Sequence, residues 1–117
     1  MARNPTMKTA LATAYAIEAP FSCLFNADPG TADAALTELT GGTPPYARIN
    51  LAWAAGAAGV RSGTATHNVA SGSTVAYAGV ANTGLLAAAT VRDSGVVPSQ
   101  TYASQGTYAV TTTATLT

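Results

Sequence analysis

Charge is what this chain has least of. Only 9% of its 117 residues are Asp, Glu, Lys or Arg, against about 25% in an ordinary globular protein. Five Lys and Arg balance five Asp and Glu, so no basic surface exists to neutralise a row of phosphates, and nucleic acid is excluded as a partner. One cysteine cannot form a disulfide within the chain. With a single histidine beside it, the four Cys or His ligands of a structural zinc site are lacking. The longest apolar run, LAWAAGAAGV from Leu51 to Val60, is about half of what a membrane-spanning helix needs, so no membrane span is expected. Arg3 and Lys8 followed by ALATAYAIEA outline a leader sequence, but Glu18 interrupts it, and no cleaved leader is expected.

What the chain has instead is small residues: 27 Ala, 19 Thr and 11 Gly. Its length suits one domain. Such a neutral, charge-poor surface keeps a free monomer poorly soluble, which favours a protein that works inside an assembly.

Residues 1–19 read as an N-terminal helix or arm. Asn4 suits the N-cap and Pro5 the first helical position. Met7, Leu11 and Tyr15 repeat every four residues and form one apolar stripe, and Pro20 ends the helix. Beyond it the period changes to two. Strands are predicted at FSCLFN (21–26), at 46–53, at 60–69, at 75–80, at 85–91 and at 107–116, with a short extended piece at Val96-Val97 that Pro98 confines to a sheet edge. Residues 34–39 fit either a helical turn or a short extended piece. Turns are predicted at Asp28-Pro29-Gly30, Ser71-Gly72-Ser73, Asn82-Thr83-Gly84 and Asp93-Ser94-Gly95. Turns every 8–12 residues argue for an all-β fold, an antiparallel β-sandwich or jelly-roll-like domain over 20–117. Its core is thin and is expected around Phe21, Phe25, Ile49, Leu51, Trp53, Tyr77 and Leu85.

The residues that carry chemistry are few. His67 with Ser62, Ser71 or Ser73 and Asp93 has the composition of a hydrolytic triad, but no G-x-S-x-G elbow is present, and a surface or interface histidine is the simpler reading. Glu18, Asp28, Asp33 and Glu38 have no fixed separation to pair two carboxylates for glycoside chemistry. Asn26, Asp28 and Asp33 offer oxygens to a calcium ion, yet turn-forming roles beside Pro29 and Gly30 explain them without a metal. The glycines fit no phosphate-cradling motif. Cys23 alternates with Phe21 and Phe25 and reads as a small buried hydrophobe. No catalytic residue, metal or cofactor is therefore expected. The candidate contact residues are Met7, Leu11 and Tyr15 on the helix, Tyr46 and Arg48 on the expected outward face of 46–53, and Tyr102 and Tyr108 around SQTYASQGTY. The last segment, from Tyr108 to Thr117, is an uncharged Thr-rich strand and a hazard if left unpaired.

Several of these segments occur in a suggestive order. Cys23-Leu24-Phe25 precedes D-P-G-T; Glu38-Leu39-Thr40-Gly41-Gly42 precedes Tyr46-Ala47-Arg48; then come Trp53-Ala54-Ala55 and GSTVAYAGV. In this the chain resembles the small virion proteins of tailed bacteriophages known as tail fibre-like or minor tail proteins, some relatives of which are capsid decorations. The resemblance covers roughly residues 10–90 and is strongest over E-L-T-G-G and Y-A-R. It departs at Ala78-Gly79-Val80-Ala81, where that family carries a bulkier pair, and beyond about residue 92. It implies a virion structural subunit with no catalytic residues. The expected role is a capsid decoration protein on the outer surface of the head, bound to the major capsid protein and self-associated as a trimer. The alternative is a minor tail or tail-fibre component.

Overall fold

The structure, a computed structural model, describes residues 4–29, 37–84 and 90–116. The first element is the helix α1 (Pro5–Glu18). Asn4 Oδ1 accepts from the Met7 amide at 2.9 Å, and Pro5 follows at the first helical position. These are the cap and the pre-set φ that start a helix. The Ala19 amide closes the far end on the Tyr15 carbonyl at 2.9 Å.

Seven strands follow: β1 (Phe21–Phe25), β2 (Ile49–Asn50), β3 (Ala54–Ala55), β4 (Val60–Val69), β5 (Thr74–Ala81), β6 (Val91–Thr101) and β7 (Gly106–Thr115). They form two sheets, ordered β2-β1-β5-β6 and β3-β4-β7, and every pairing is antiparallel. The fold is an all-β sandwich with one short N-terminal helix. The chain crosses between the sheets from β2 to β3, from β4 to β5 and from β6 to β7, and β6 and β7 are the two long edges.

The core between the sheets is thin, as the shortage of large apolar residues requires. Leu24, Leu39, Leu51, Val69, Val75, Val80 and Val110 fill it, together with Tyr46 and Tyr102. Phe25, Cys23 and Ala81 form a smaller second cluster. Of the expected core residues, Leu51 and Phe25 are buried. Phe21, Ile49, Trp53 and Tyr77 are half-buried at its margin, and Leu85 lies outside the described residues, as does most of the strand predicted at 85–91.

Two element predictions need correction. Residues 46–53 do not make one strand. Only Ile49–Asn50 pairs with β1; the Leu51 amide adds one last in-register bond, to the Pro20 carbonyl at 2.7 Å, and Pro20 has no N–H to return it, so the ladder ends there. Asp93-Ser94-Gly95 is not a turn but lies within β6, opposite Val80, Gly79 and Ala78. Gly79 permits this closeness, since a Cβ there would stand 2.7 Å from the Asp93 carbonyl and 2.9 Å from the Phe25 ring.

The helix packs on its own sandwich. Tyr15 meets Trp53 edge-on, with ring centroids 5.9 Å apart, and donates its hydroxyl to Asp93 Oδ2 on β6 at 3.0 Å. Arg61 on β4 reaches Thr13 at 2.9 Å, and Arg92 on β6 pairs with Glu18 at 2.7 Å. Thus α1 ties one sheet to the other.

Candidate functional site

The densest set of chemical groups lies inside the sandwich, and the segment from Glu38 to Arg48 builds it. Glu38 bridges to Phe25 at the end of β1, and Leu39 donates to the Leu24 carbonyl at 3.1 Å. The chain then reverses. Gly41 and Gly42 adopt φ of +81° and +98°, a region that side chains rarely tolerate, and the Tyr46 amide closes the loop on the Gly41 carbonyl at 2.8 Å. Gln105 holds the loop from outside, accepting from the Thr43 amide at 3.2 Å and donating to the Pro44 carbonyl at 3.0 Å.

This reversal returns Tyr46 and Arg48 to Glu38. Arg48 donates through Nε and Nη2 to the two Glu38 oxygens at 2.9 and 2.7 Å, a two-pronged pair of the kind that best offsets desolvation. Its Nη1 donates to the Thr83 carbonyl at 3.0 Å and to Thr90 Oγ1 at 2.7 Å. The Tyr46 hydroxyl donates to Glu38 Oε2 at 2.8 Å and accepts from the Leu24 amide at 2.9 Å. Its ring stacks on His67, 5.6 Å between centroids.

His67 extends the network to β1 and β4. Its Nδ1 lies 3.0 Å from the Ala47 carbonyl. A carbonyl only accepts, so Nδ1 carries the proton and Nε2 accepts from Ser22 Oγ at 2.9 Å. Burial lowers the pKa of His67, which keeps the ring neutral. The Arg48 pKa is raised by its hydrogen bond to Glu38. Burial pushes the Cys23 thiol up to about 12, with the nearby Glu38 adding to the effect; a thiol held protonated is a poor nucleophile.

A serine donating to a histidine has the form of a catalytic dyad. Here both residues are fully enclosed, at 0% exposure, and no substrate reaches Ser22 Oγ without separating the sheets. The network's geometry instead suits packing. It joins the 38–48 loop, β1, β4 and the segment around Thr83 and Thr90 without a buried side-chain polar atom left over among the described residues.

Tyr46 and Arg48 were expected to face outward as contact residues. The structure places them inside, at 4% and 5% exposure, because Glu38 supplies the countercharge that makes a buried guanidinium tolerable. His67 is likewise in the core and not at the surface, since β4 turns Gly63, Ala65, His67 and Val69 inward and Thr64, Thr66 and Asn68 toward solvent. Tyr102 is buried and donates to the Thr107 carbonyl at 2.6 Å, and half-buried Tyr108 donates to the Pro98 carbonyl at 2.9 Å. Leu11 and Tyr15 are half-buried against the sandwich, while Met7 stays 50% exposed.

Among the described residues no group of three or more His, Cys, Asp or Glu is placed to hold a metal ion. Asn26 and Asp28 are exposed, and Asp33 lies outside the described residues. A polar hollow of about 420 Å³ beside Asn26, Thr40 and Ser73 has Glu38 as its one carboxylate, already engaged by Arg48. No described helix is long and apolar enough to cross a membrane.

On the open side of the sandwich, β6 and β7 border a cleft of about 300 Å³ lined by Tyr15, Val80, Asp93, Val97, Val110 and Thr112, among others. Among the described residues β7 pairs with β4 alone, and its other edge, where the Tyr102 hydroxyl takes the Thr107 carbonyl, has no strand beside it. Comparison with family models, curated proteins and solved structures gave no match to the chain.

Proposed function

We propose that this chain is a structural subunit of a bacteriophage virion, and specifically a decoration protein bound to the major capsid protein on the outside of the head. The observation that carries the reading is where the chain keeps its ionisable groups. Glu38, Arg48 and His67 are spent inside the fold, and the surface is left to alanine, threonine and glycine with a few scattered charges. Such a surface suits a protein held in many copies against a larger body better than one free in solution. The order of E-L-T-G-G and Y-A-R in the sequence supports the same assignment. It gains a physical sense here, because Glu38, Tyr46 and Arg48 are the residues that build the buried network.

The proposed mechanism is linkage. A subunit that binds the assembled shell and not its separated parts adds its binding free energy to the shell's stability, and many such contacts act together. Catalysis plays no part in it. The test is to add the purified protein to shells that lack it and to heat them. Saturable binding with a raised disassembly temperature is expected; shells that neither bind the protein nor change their disassembly temperature would contradict the proposal.

A further inference from the structure

The two long edges of this sandwich are built differently. An unpaired edge is a template for another strand, and natural proteins blunt it with charge, proline or bulges. Strand β6 has all three. It carries Arg92 and Asp93, it contains Pro98, and its register with β5 shifts twice, between Val75 and Tyr77 and between Val80 and Ala81. Strand β7 has none. Its sequence, GTYAVTTTAT, holds neither a charge nor a proline, and it runs beside β4 through ten consecutive pairs without a shift. A straight strand of this length presents about 34 Å of hydrogen-bonding edge.

We infer that the β7 edge is the self-association surface of this protein, paired antiparallel with β7 of a second copy across a twofold axis. Charge selects the occupant. In a twofold antiparallel pair each residue faces its mirror position on the same strand, so with Thr111 on the axis Thr107 stands opposite Thr115 and Ala109 opposite Thr113; β7 contains no charged residue, and no like charges meet along the seam. The outward residues Thr107, Ala109, Thr111, Thr113 and Thr115 are compatible with such a seam. Thr111 already meets Thr64 on β4, hydroxyl to hydroxyl at 3.2 Å, and where threonine stands opposite threonine in the seam that contact is repeated. The same side of the molecule exposes Val96, 76% open at the mouth of the cleft beside Val110 and Thr113, an apolar side chain that a second copy would shield. Pairing joins two three-stranded sheets into one of six, β3-β4-β7-β7-β4-β3. It predicts a dimer where the sequence alone suggested a trimer. The inference concerns the chain by itself and does not rest on the virion assignment, so the two succeed or fail separately.

The test uses the purified protein in sedimentation equilibrium. Wild type is expected to be dimeric. The double variants Thr111→Lys with Thr113→Lys, and Thr111→Glu with Thr113→Glu, place like charges along the seam and are expected to weaken dimerisation by about tenfold or more. An equimolar mixture of the two variants is expected to recover it. That recovery distinguishes charge at the seam from misfolding, because misfolded chains do not re-pair on mixing. Hydrogen exchange on wild type gives a second reading: all amides from Thr107 to Thr115 are protected in the paired state, whereas a free edge leaves every other one fast. A monomeric wild type, an oligomer unchanged in both charged variants, no recovery on mixing, or fast exchange at alternate β7 amides would each overturn the inference.

Discussion

Removing the guanidinium of Arg48 leaves the Glu38 carboxylate enclosed with its principal countercharge gone. Both side chains are almost fully buried, at 0% and 2% exposure, and breaking such a pair costs about 3–5 kcal/mol. Arg48→Ala is therefore expected to lose that much stability in urea unfolding, and a loss under 1 kcal/mol would show that the pair is not what joins the loop to the sheets. Arg48→Lys should rescue little, because a point charge cannot reproduce a fork that binds Glu38, Thr83 and Thr90 together. His67 acts through its proton. Burial lowers its folded-state pKa below the ordinary 6.5, so the unfolded chain binds a proton more readily than the fold does. Stability contributed by the neutral ring is present above about 6.5 and is lost as pH falls through the window between the unfolded and folded values. Unfolding free energy is expected to decline from pH 7 to pH 5 in wild type. In His67→Gln that slope should flatten, even though the variant is less stable throughout. An equal slope in both proteins would assign the pH dependence elsewhere.

At the scale of the element, β5 and β6 show how one small residue sets a strand pairing. Gly79 faces the Asp93 carbonyl and the Phe25 ring at distances no Cβ accepts. Gly79→Ala should force β6 away from β5 at a cost of about 1–3 kcal/mol, with faster amide exchange confined to residues 91–96; a silent substitution would mean that the strands already have slack there. The elements differ in how well the sequence announces them. Helix α1 is legible because Asn4, Pro5 and Pro20 act locally, and the predicted 1–19 brackets the observed Pro5–Glu18. Strand β4 matches its predicted span, and β7 lies one residue from it, since both are long alternating runs. The Asp93-Ser94-Gly95 stretch misleads because its turn-forming chemistry is used otherwise. Asp93 accepts from Tyr15 and from the Ser94 amide while the backbone stays extended.

For the molecule as a whole, the class of fold follows from period and punctuation, and the buried site does not. Alternation marks Tyr46 and Arg48 as sharing one face of an extended segment, which is also the pattern of an exposed contact patch. What turns that face inward is Glu38, ten residues earlier and returned by the Gly41-Gly42 reversal, and alternation within one segment carries no signal of it. Strand β4, by contrast, did hold the signal for His67, in its small inward residues Gly63 and Ala65 and its outward threonines. Ser22 had none, because β1 is covered on both faces. The resulting molecule is a sealed sandwich with little surface charge, one guarded edge and one edge that no strand covers among the described residues, and its role as a structural subunit is proposed from those properties together. The most direct test is the number of copies of this chain per purified virion, measured by quantitative mass spectrometry against the major capsid protein. The decoration role predicts a ratio near one. A ratio of a few per cent would place the chain in the tail or at a vertex, and its absence from virions would contradict the account.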